Sequence, residues 1–294
     1  MSFSYYITLL VIKLKGLKKK FSETPIDYKK IRKDDVHSPK NRFFKRGNLR
    51  TFTILKTTVS EITQEKKSDK LLIFIHGGAF VAGPGQHHWD SIEKMVKKTE
   101  YRVWMCDYPK APESKISEIS ENIDRIYHFA TRQFKPENVV LIGDSAGATL
   151  IITLIQRLVQ KNAALPSKII LISPVMDASL ENPLIDAIEN KDPMLGKKGV
   201  LSAKLMCLGN DDLKNPLISP LYGSIENFPE TFLFMAENDI TYPDQQLFAQ
   251  KMDELKIKHT VFTGKGMPHI WPLLPVMKEA GSALNKIMAI LNDA

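Results

Sequence analysis

The chain has 294 residues, of which 43% are hydrophobic and 25% charged, a composition that excludes wholesale disorder and allows a sizeable buried core. Its net charge of +8 is concentrated at one end: residues 1–50 carry 14 Lys or Arg against 4 Asp or Glu, a net charge of +10, so the remaining residues sum to −2. No nucleic-acid-binding motif accompanies this basic segment, and we predict no nucleic-acid partner. Two cysteines, Cys106 and Cys207, are too few for a disulfide framework and favour a reducing, cytoplasmic location.

The N-terminal segment predicts an amphipathic helix. Its apolar run, residues 5–12, precedes the lysines, which is the reverse of a signal peptide, and it is far shorter than the roughly 20 residues that span a bilayer. Apolar residues recur there at alternating spacings of four and three, as one helical stripe: Phe3, Ile7, Leu10, Leu14, Leu17 and Phe21. We predict that this stripe docks on the body of the protein. A helix that also makes peripheral contact with an anionic membrane is the alternative, and the two are compatible.

Short apolar runs then alternate with helical patterns. Edge strands are predicted within residues 49–63, and further strands at 70–78, 101–108, 138–144, 167–175, 231–239 and 258–264. Helices are predicted at 90–99, 117–134, 146–160, 244–255 and 276–292. Strands that are almost continuously apolar are typical of a sheet covered by helices on both faces. The alternation therefore predicts an α/β fold with a mostly parallel, doubly wound sheet.

One interval breaks this alternation. Residues 176–229 lie between two predicted strands and are far longer than a single crossover helix requires. The interval is too apolar and too patterned for a disordered linker. We predict a single domain, residues 1–294, in which this insertion and about residues 1–48 form a helical cap over the carboxyl edge of the sheet.

The stretch NVVLIGDSAGATLIITLIQRL, residues 138–158, places Ser145 between an apolar strand and an apolar helix. This strand–turn–helix setting of a G-x-S-x-G pattern predicts a nucleophile held in strained backbone geometry. Gly143 and Gly147 fit that interpretation, because side chains two residues either side of the serine would collide. An ordinary turn with a capping serine is the alternative.

A serine hydroxyl becomes a good nucleophile only when a base takes its proton. Serine nucleophiles commonly act with a histidine base and an acidic residue that orients the histidine. In one known chain order of these three residues, the acid and then the histidine follow the serine. Only His259 and His269 follow Ser145. His259 opens a predicted strand, whereas His269 lies in a Gly/Pro-rich loop before the last helix, so His269 is the predicted base.

The acid is expected just after the strand that precedes the histidine. The stretch TFLFMAENDITYPD offers Glu237, Asp239 and Asp244. Glu237 is predicted to lie on the strand and Asp244 to cap the next helix. Asp239, at the end of the strand, is therefore the predicted acid, which would orient the imidazole and stabilise its protonated form.

Acyl transfer also requires donors for the negative charge that develops on the substrate oxygen. The N–H groups of Gly77 and Gly78, at the end of a strand, together with that of Ala146, are the predicted oxyanion hole. His76, which precedes them, is predicted to be a structural hydrogen-bonding residue rather than a second base.

Motifs from residue 70 to the C terminus resemble, in order, the hormone-sensitive-lipase-like branch of the α/β-hydrolases. The resemblance rests on HGGAF at 76–80, DYPKAPE at 107–113, GDSAG at 143–147, SPVMD at 173–177, NPLISPLYG at 215–223, Asp239 and MPHIW at 267–271. It implies the α/β-hydrolase fold and a serine esterase whose cap combines the N-terminal segment with the insertion.

The sequence departs from the family pattern at three places. Ala236 stands where a glycine is usual, Pro109-Lys110 where an Arg-Leu pair is common, and the stretch after Asp239 lacks the usual leucine and acidic pair. These departures bear on the shape of the acyl pocket. Phe80, Ile270 and Trp271 are candidate pocket residues, with a plain core position as the alternative for each.

Together these patterns predict a carboxylesterase with the triad Ser145, Asp239 and His269. It would act on small-molecule esters of short to medium chain length, with no metal and no cofactor. An amidase or peptidase that uses the same triad is the first alternative. A non-catalytic ligand-binding member of the fold is the second, and the presence of all three triad residues speaks against it.

Overall fold

The computed structural model describes residues 1–64, 68–209 and 211–293. Within these residues, eight strands form one sheet: β1 (Leu49–Ile54), β2 (Thr57–Ile62), β3 (Leu71–Ile75), β4 (Arg102–Asp107), β5 (Val139–Asp144), β6 (Lys168–Ile172), β7 (Glu230–Asn238) and β8 (His259–Pro268). The helices are α1 (Phe3–Leu14), α2 (Leu17–Lys20), α3 (Tyr28–Ile31), α4 (Gln86–Lys98), α5 (Ile116–Thr131), α6 (Ala146–Gln160), α7 (Ile185–Glu189), α8 (Lys197–Leu208), α9 (Tyr242–Glu254) and α10 (Lys278–Asn292).

The sheet has the order β1-β2-β4-β3-β5-β6-β7-β8. Strands β1 and β2 pair antiparallel, and β2 also pairs antiparallel with β4. All neighbouring strands from β4 to β8 in the sheet order pair in parallel. Each face of the sheet has its own hydrophobic core. Val139 and Leu141 of β5 contribute to one core, and Val140 and Ile142 contribute to the other. This two-sided burial explains the unbroken apolar runs and confirms the predicted doubly wound, mostly parallel sheet.

The insertion at 176–229 carries α7 and α8, and it contacts the N-terminal segment directly. The backbone N–H of Ile26 donates to Ser202 Oγ in α8 at 2.9 Å. The ammonium of Lys18 donates to the carbonyl of Glu189 at 2.7 Å. A Cβ atom on Gly199 would lie only 2.1 Å from the carbonyl oxygen of Phe21, so only glycine allows this approach. The two segments that we assigned to the cap therefore pack against each other.

The predicted docking of the N-terminal stripe is right only at its end, where Leu17 and Phe21 pack against the core. Helix α1 buries Tyr5, Thr8 and Ile12 instead, and the first four residues of the stripe lie outside, with Phe3 81% and Leu14 77% exposed. The reason is polar anchoring: Tyr5 Oη donates to the carbonyl of Gly266 at 2.9 Å, and this contact turns the opposite face of α1 outwards. None of the described helices combines the length and apolarity needed to cross a membrane.

Gly147 lies where the start of α6 packs against the end of β3. A Cβ atom at this position would lie 2.0 Å from the carbonyl oxygen of Ile75, a backbone atom that cannot shift without moving the sheet. We expect Gly147→Ala to lower the free energy of unfolding by about 3 kcal/mol or more. The matched control is Gly281→Ala in α10, where a Cβ atom has nothing within 4 Å. That substitution should raise stability by up to about 1 kcal/mol. Urea unfolding of both variants measures the difference, and equal effects would contradict the tight seating.

Candidate active site

Ser145 lies in the turn between β5 and α6, at the carboxyl edge of the sheet. Its backbone has φ 50° and ψ −122°, a region that side-chain-bearing residues rarely adopt. Its N–H donates to the carbonyl of Ile172 at 2.8 Å, which holds the turn on β6. Added Cβ atoms would lie 2.8 Å from the Ile75 carbonyl at Gly143 and 2.0 Å from it at Gly147. The predicted strain and crowding around the serine are therefore present.

Asp239 and His269 meet at the same edge. Asp239 directly follows β7 and His269 directly follows β8, and His269 Nδ1 lies 2.6 Å from Asp239 Oδ2. Thr241 fixes the other carboxylate oxygen, because its N–H and its hydroxyl donate to Asp239 Oδ1 at 2.9 and 2.8 Å. Both members of the pair are buried. The carboxylate thus selects the tautomer of His269 with the proton on Nδ1, which leaves Nε2 as the acceptor.

Two opposing effects act on the pKa of His269. Burial disfavours the charged imidazolium, but the charge of Asp239 and its hydrogen bond outweigh burial, and the pKa is raised above its ordinary value. Ser145 is buried at the same edge, and among the described residues its Oγ makes no hydrogen bond to His269.

The alternatives for the acid and the base lie elsewhere. Glu237 is part of β7, as predicted, and accepts from the N–H of Gly266 at 2.8 Å. Asp244 lies in the first turn of α9, whose N-cap is Thr241, and it accepts from Asn182 at 2.7 Å. His259 begins β8, at the sheet edge opposite to Ser145. The structure therefore brings together Asp239 and His269 and leaves the other candidates apart.

The predicted oxyanion donors divide into two groups. The N–H of Gly77 donates to Asp144 Oδ1 at 2.9 Å, so it is already occupied, which contradicts its predicted role. The N–H groups of Gly78 and Ala146 make no hydrogen bond within the described part of the chain. The same holds for Ala79, which has φ 54° and which the sequence interpretation missed.

Asp144 joins the serine turn to the loop after β3. Besides the Gly77 N–H, its Oδ1 lies 3.1 Å from His88 Nε2. His88 Nδ1 accepts from the N–H of Gly85 at 2.9 Å, so Nε2 carries the proton and lies close to the carboxylate. Burial raises the pKa of Asp144, but the pairing with His88 outweighs burial and holds it below its ordinary value.

Ligand atoms of His87, His88 and Asp144 lie within 4.8 Å of one another, which is close enough to consider a metal ion. A metal on His88 Nε2 would have to displace the proton that this nitrogen carries while Nδ1 accepts from Gly85. Asp144 already accepts from the N–H of Gly77 and pairs with His88, so this geometry favours a structural network over a metal centre.

His76 is buried in the same loop. Its Nδ1 lies 2.6 Å from the carbonyl oxygen of Gly77, and its ring stacks on Tyr108 with centroids 4.4 Å apart. Burial lowers the pKa of His76 to about 4. A neutral, stacked, hydrogen-bonded ring fits the predicted structural role.

Sequence reasoning missed Asp192, which the insertion brings to the acid. Its Oδ2 accepts from the N–H of Ile240, next to Asp239, at 3.0 Å, and its Oδ1 accepts from Met194 and Leu195 at 2.7 and 2.8 Å. Burial and the neighbouring charge of Asp239 raise the pKa of Asp192 to about 6. No local pattern marks this residue, because its partner lies 48 positions away along the chain.

The three candidate pocket residues are all buried. The indole N–H of Trp271 donates to the carbonyl of Met235 at 3.0 Å, and its ring belongs to the core shared with α10, which favours the core alternative. Ile270 has φ 50° and donates its N–H to Ser173 Oγ at 3.1 Å. Phe80 packs in the opposite core, beneath α8.

Comparisons with known proteins identify the family. Residues 72–273, more than half of the chain, match the model of a family with the alpha/beta hydrolase fold. An esterase from Acinetobacter venetianus is 30% identical over 209 residues, 69% of each chain. An acetyl-hydrolase from Streptomyces hygroscopicus is 24% identical over 244 residues, 82% of each chain. A solved esterase from the bacterial hormone-sensitive lipase family, 20% identical, superposes with a TM-score of 0.86 over 99% of this chain and 98% of its own.

The chain therefore belongs to the α/β-hydrolase fold family, and the relative that it matches at 30% identity is an esterase.

The Asp239–His269 pair can be tested by titration. We expect the imidazole of His269 to titrate above the ordinary histidine value of about 6.5. Asp239→Asn removes the charge that raises this pKa while the opposing burial remains, so the pKa should fall. NMR titration of the histidine signals measures the change. Asp253→Asn, beside the separate His259 at 3.5 Å, is the control and should leave His269 unaffected. A His269 pKa that is the same in wild type and Asp239→Asn would show that the pair is not coupled.

Proposed function

We propose that this carboxylic-ester hydrolase is a serine esterase that forms an acyl-enzyme on Ser145. One observation carries the proposal: a strained serine and a buried Asp–His pair lie at the same edge of one parallel sheet. The strain is stored where a nucleophile must project from the backbone.

In the proposed reaction, Ser145 Oγ attacks the ester carbonyl and His269 Nε2 accepts the hydroxyl proton. The 2.6 Å contact with Asp239 keeps Nδ1 protonated and stabilises the imidazolium that forms. His269 then gives the proton to the departing alcohol, and water hydrolyses the acyl-enzyme by the same steps in reverse order. Because the base must be neutral, its raised pKa implies that activity falls as the pH drops through that value.

The oxyanion would be held by the N–H groups of Gly78, Ala79 and Ala146. This set replaces Gly77, whose N–H is bonded to Asp144. The three remaining donors need no rearrangement to accept a substrate oxygen, because none has a partner among the described residues. Each such donor is worth on the order of 3 kcal/mol of barrier in related chemistry.

A cap made from the N-terminal segment and residues 176–229 would cover this edge and limit the substrate. The contacts between the two segments and the bond from Asp192 to the acid loop support this arrangement. We propose small-molecule esters of short to medium chain length. An amidase on the same triad would need closer protonation of a leaving amine, and a comparison of ester and anilide substrates separates the two.

The ester proposal predicts how activity varies with the acyl chain length of the substrate, and it predicts that this activity requires the Ser145 hydroxyl. On p-nitrophenyl esters from acetate to palmitate, the wild type should be most active at short to medium chains. Ser145→Ala should lose about 10⁵-fold in kcat because the nucleophile is gone. Ser179→Ala, another buried serine, is the matched control and should retain activity. Equal rates for Ser145→Ala and wild type would refute the assignment of the nucleophile.

The outward face of α1 supports peripheral membrane contact as a further part of the proposal. This face exposes apolar residues along the whole helix: Phe3, Tyr6, Ile7, Leu10, Val11 and Leu14. Exposed lysines lie at and just after the end of the helix, at Lys13, Lys15 and Lys19. An apolar face beside positive charge is complementary to an anionic lipid surface. A cytoplasmic enzyme with this helix would bind the inner surface of a membrane.

The membrane contact predicts binding that requires both apolar residues and anionic lipid. Replacement of Leu10 and Leu14 together by serine should reduce cosedimentation with phosphatidylglycerol-containing vesicles by about tenfold or more. Val276→Ser, which removes another exposed apolar residue, is the control and should bind like wild type. Binding that is equal on purely zwitterionic vesicles, or insensitive to the double substitution, would refute the contact.

A further inference from the structure

Helix α8 carries a lysine in an unusual position. Lys204 has no exposed surface, and its ammonium has no hydrogen-bond partner among the described residues. The next residue, Leu205, is 51% exposed. Lysine normally keeps its charged end in water, and leucine is normally buried. Burial of Lys204 and exposure of Leu205 therefore do not favour the stability of the fold.

The surroundings of Lys204 offer no compensating charge. Within the described residues, no carboxylate lies at ion-pair distance from its Nζ. The ionisable neighbour is Cys207, whose pKa burial raises to about 12, so the thiol is neutral at pH 7. Burial without a partner lowers the pKa of Lys204 to about 7. An unpaired buried ammonium is costly, and an anion bound beside Nζ would remove that cost.

The ammonium contacts the loop that carries the proposed oxyanion donors Gly78 and Ala79. Its Nζ stands 4.1 Å from the centroid of the Phe80 ring. Phe80 directly follows Gly78 and Ala79, and its carbonyl accepts from the N–H of Ala111 at 2.9 Å, which fixes the loop. Lys204 therefore reaches from the insertion to the residue that follows the proposed oxyanion donors.

We propose that Lys204 binds a carboxylate group of the substrate, so that the enzyme prefers esters that carry a second, anionic group. This inference rests on the proposed esterase function of the same site. A carboxylate would supply the partner that the ammonium lacks, and a charge-assisted hydrogen bond in this dry position would be strong. A neutral ester would leave the ammonium unpaired.

The test compares each anionic ester with a neutral ester of similar size. On the acyl side, monoethyl glutarate is compared with ethyl butyrate; on the alcohol side, 4-acetoxybutyrate is compared with butyl acetate. The measured quantity is the ratio of kcat/KM, anionic over neutral. In wild type this ratio should exceed one in one of the two pairs, and that pair shows which side of the ester faces Lys204.

Lys204→Met, which keeps the length of the side chain and removes the charge, should lower this ratio by about 10- to 100-fold. Lys198→Met is the matched control, because Lys198 is an exposed lysine of the same helix, and it should keep the wild-type ratio. A ratio that is the same in wild type and Lys204→Met overturns the proposal and leaves the esterase assignment intact. Urea unfolding of Lys204→Met verifies that the variant is folded.

Failure of the esterase assignment is distinguishable. If wild type hydrolyses no ester in either pair, the site itself was misassigned, and glutarate alone then tests Lys204. Glutarate should raise the thermal unfolding midpoint of wild type and Lys198→Met but not of Lys204→Met. The absence of a shift in wild type would overturn the anion site as well.

Discussion

The buried carboxylate of Asp144 is the interaction on which the rest of the site depends. It stands next to Ser145 in the chain, accepts from the N–H of Gly77 in the loop after β3 and lies 3.1 Å from His88 Nε2 in α4. A buried carboxylate is costly unless it is paired and hydrogen-bonded, so separation of the three segments would leave its charge unpaired. The position of the proposed nucleophile and that of the proposed oxyanion loop are thus linked through one residue.

Much of the fold and of the triad could be predicted because the signals are local. Parallel strands present their carboxyl ends at one edge, so a serine after β5, an aspartate after β7 and a histidine after β8 must converge there. The glycines around Ser145 were predictable from the motif, although the atom that crowds them most, the carbonyl oxygen of Ile75, belongs to β3. The strands are continuously apolar rather than alternating, and this pattern predicted a hydrophobic core on each face of the sheet.

Other features depend on partners that are distant in sequence, and the sequence interpretation missed them. The period of the apolar stripe in α1 predicted a helix, but it could not indicate which face is covered, because that choice depends on Tyr5 reaching Gly266. The occupied N–H of Gly77 follows from a carboxylate 67 residues later. Asp192 and Lys204 lie in the insertion, and their significance appears only when their neighbours in space are known.

The bond from Asp192 to Ile240 has a consequence for how such enzymes can be recombined. The carboxylate belongs to the insertion, yet one of its three backbone partners lies in the loop of Asp239, the proposed acid. An insertion taken from a relative without that carboxylate would leave the Ile240 N–H buried without an acceptor, next to Asp239. The insertion and this loop therefore form one hydrogen-bonded unit, and chimaeras should be joined outside both rather than between them.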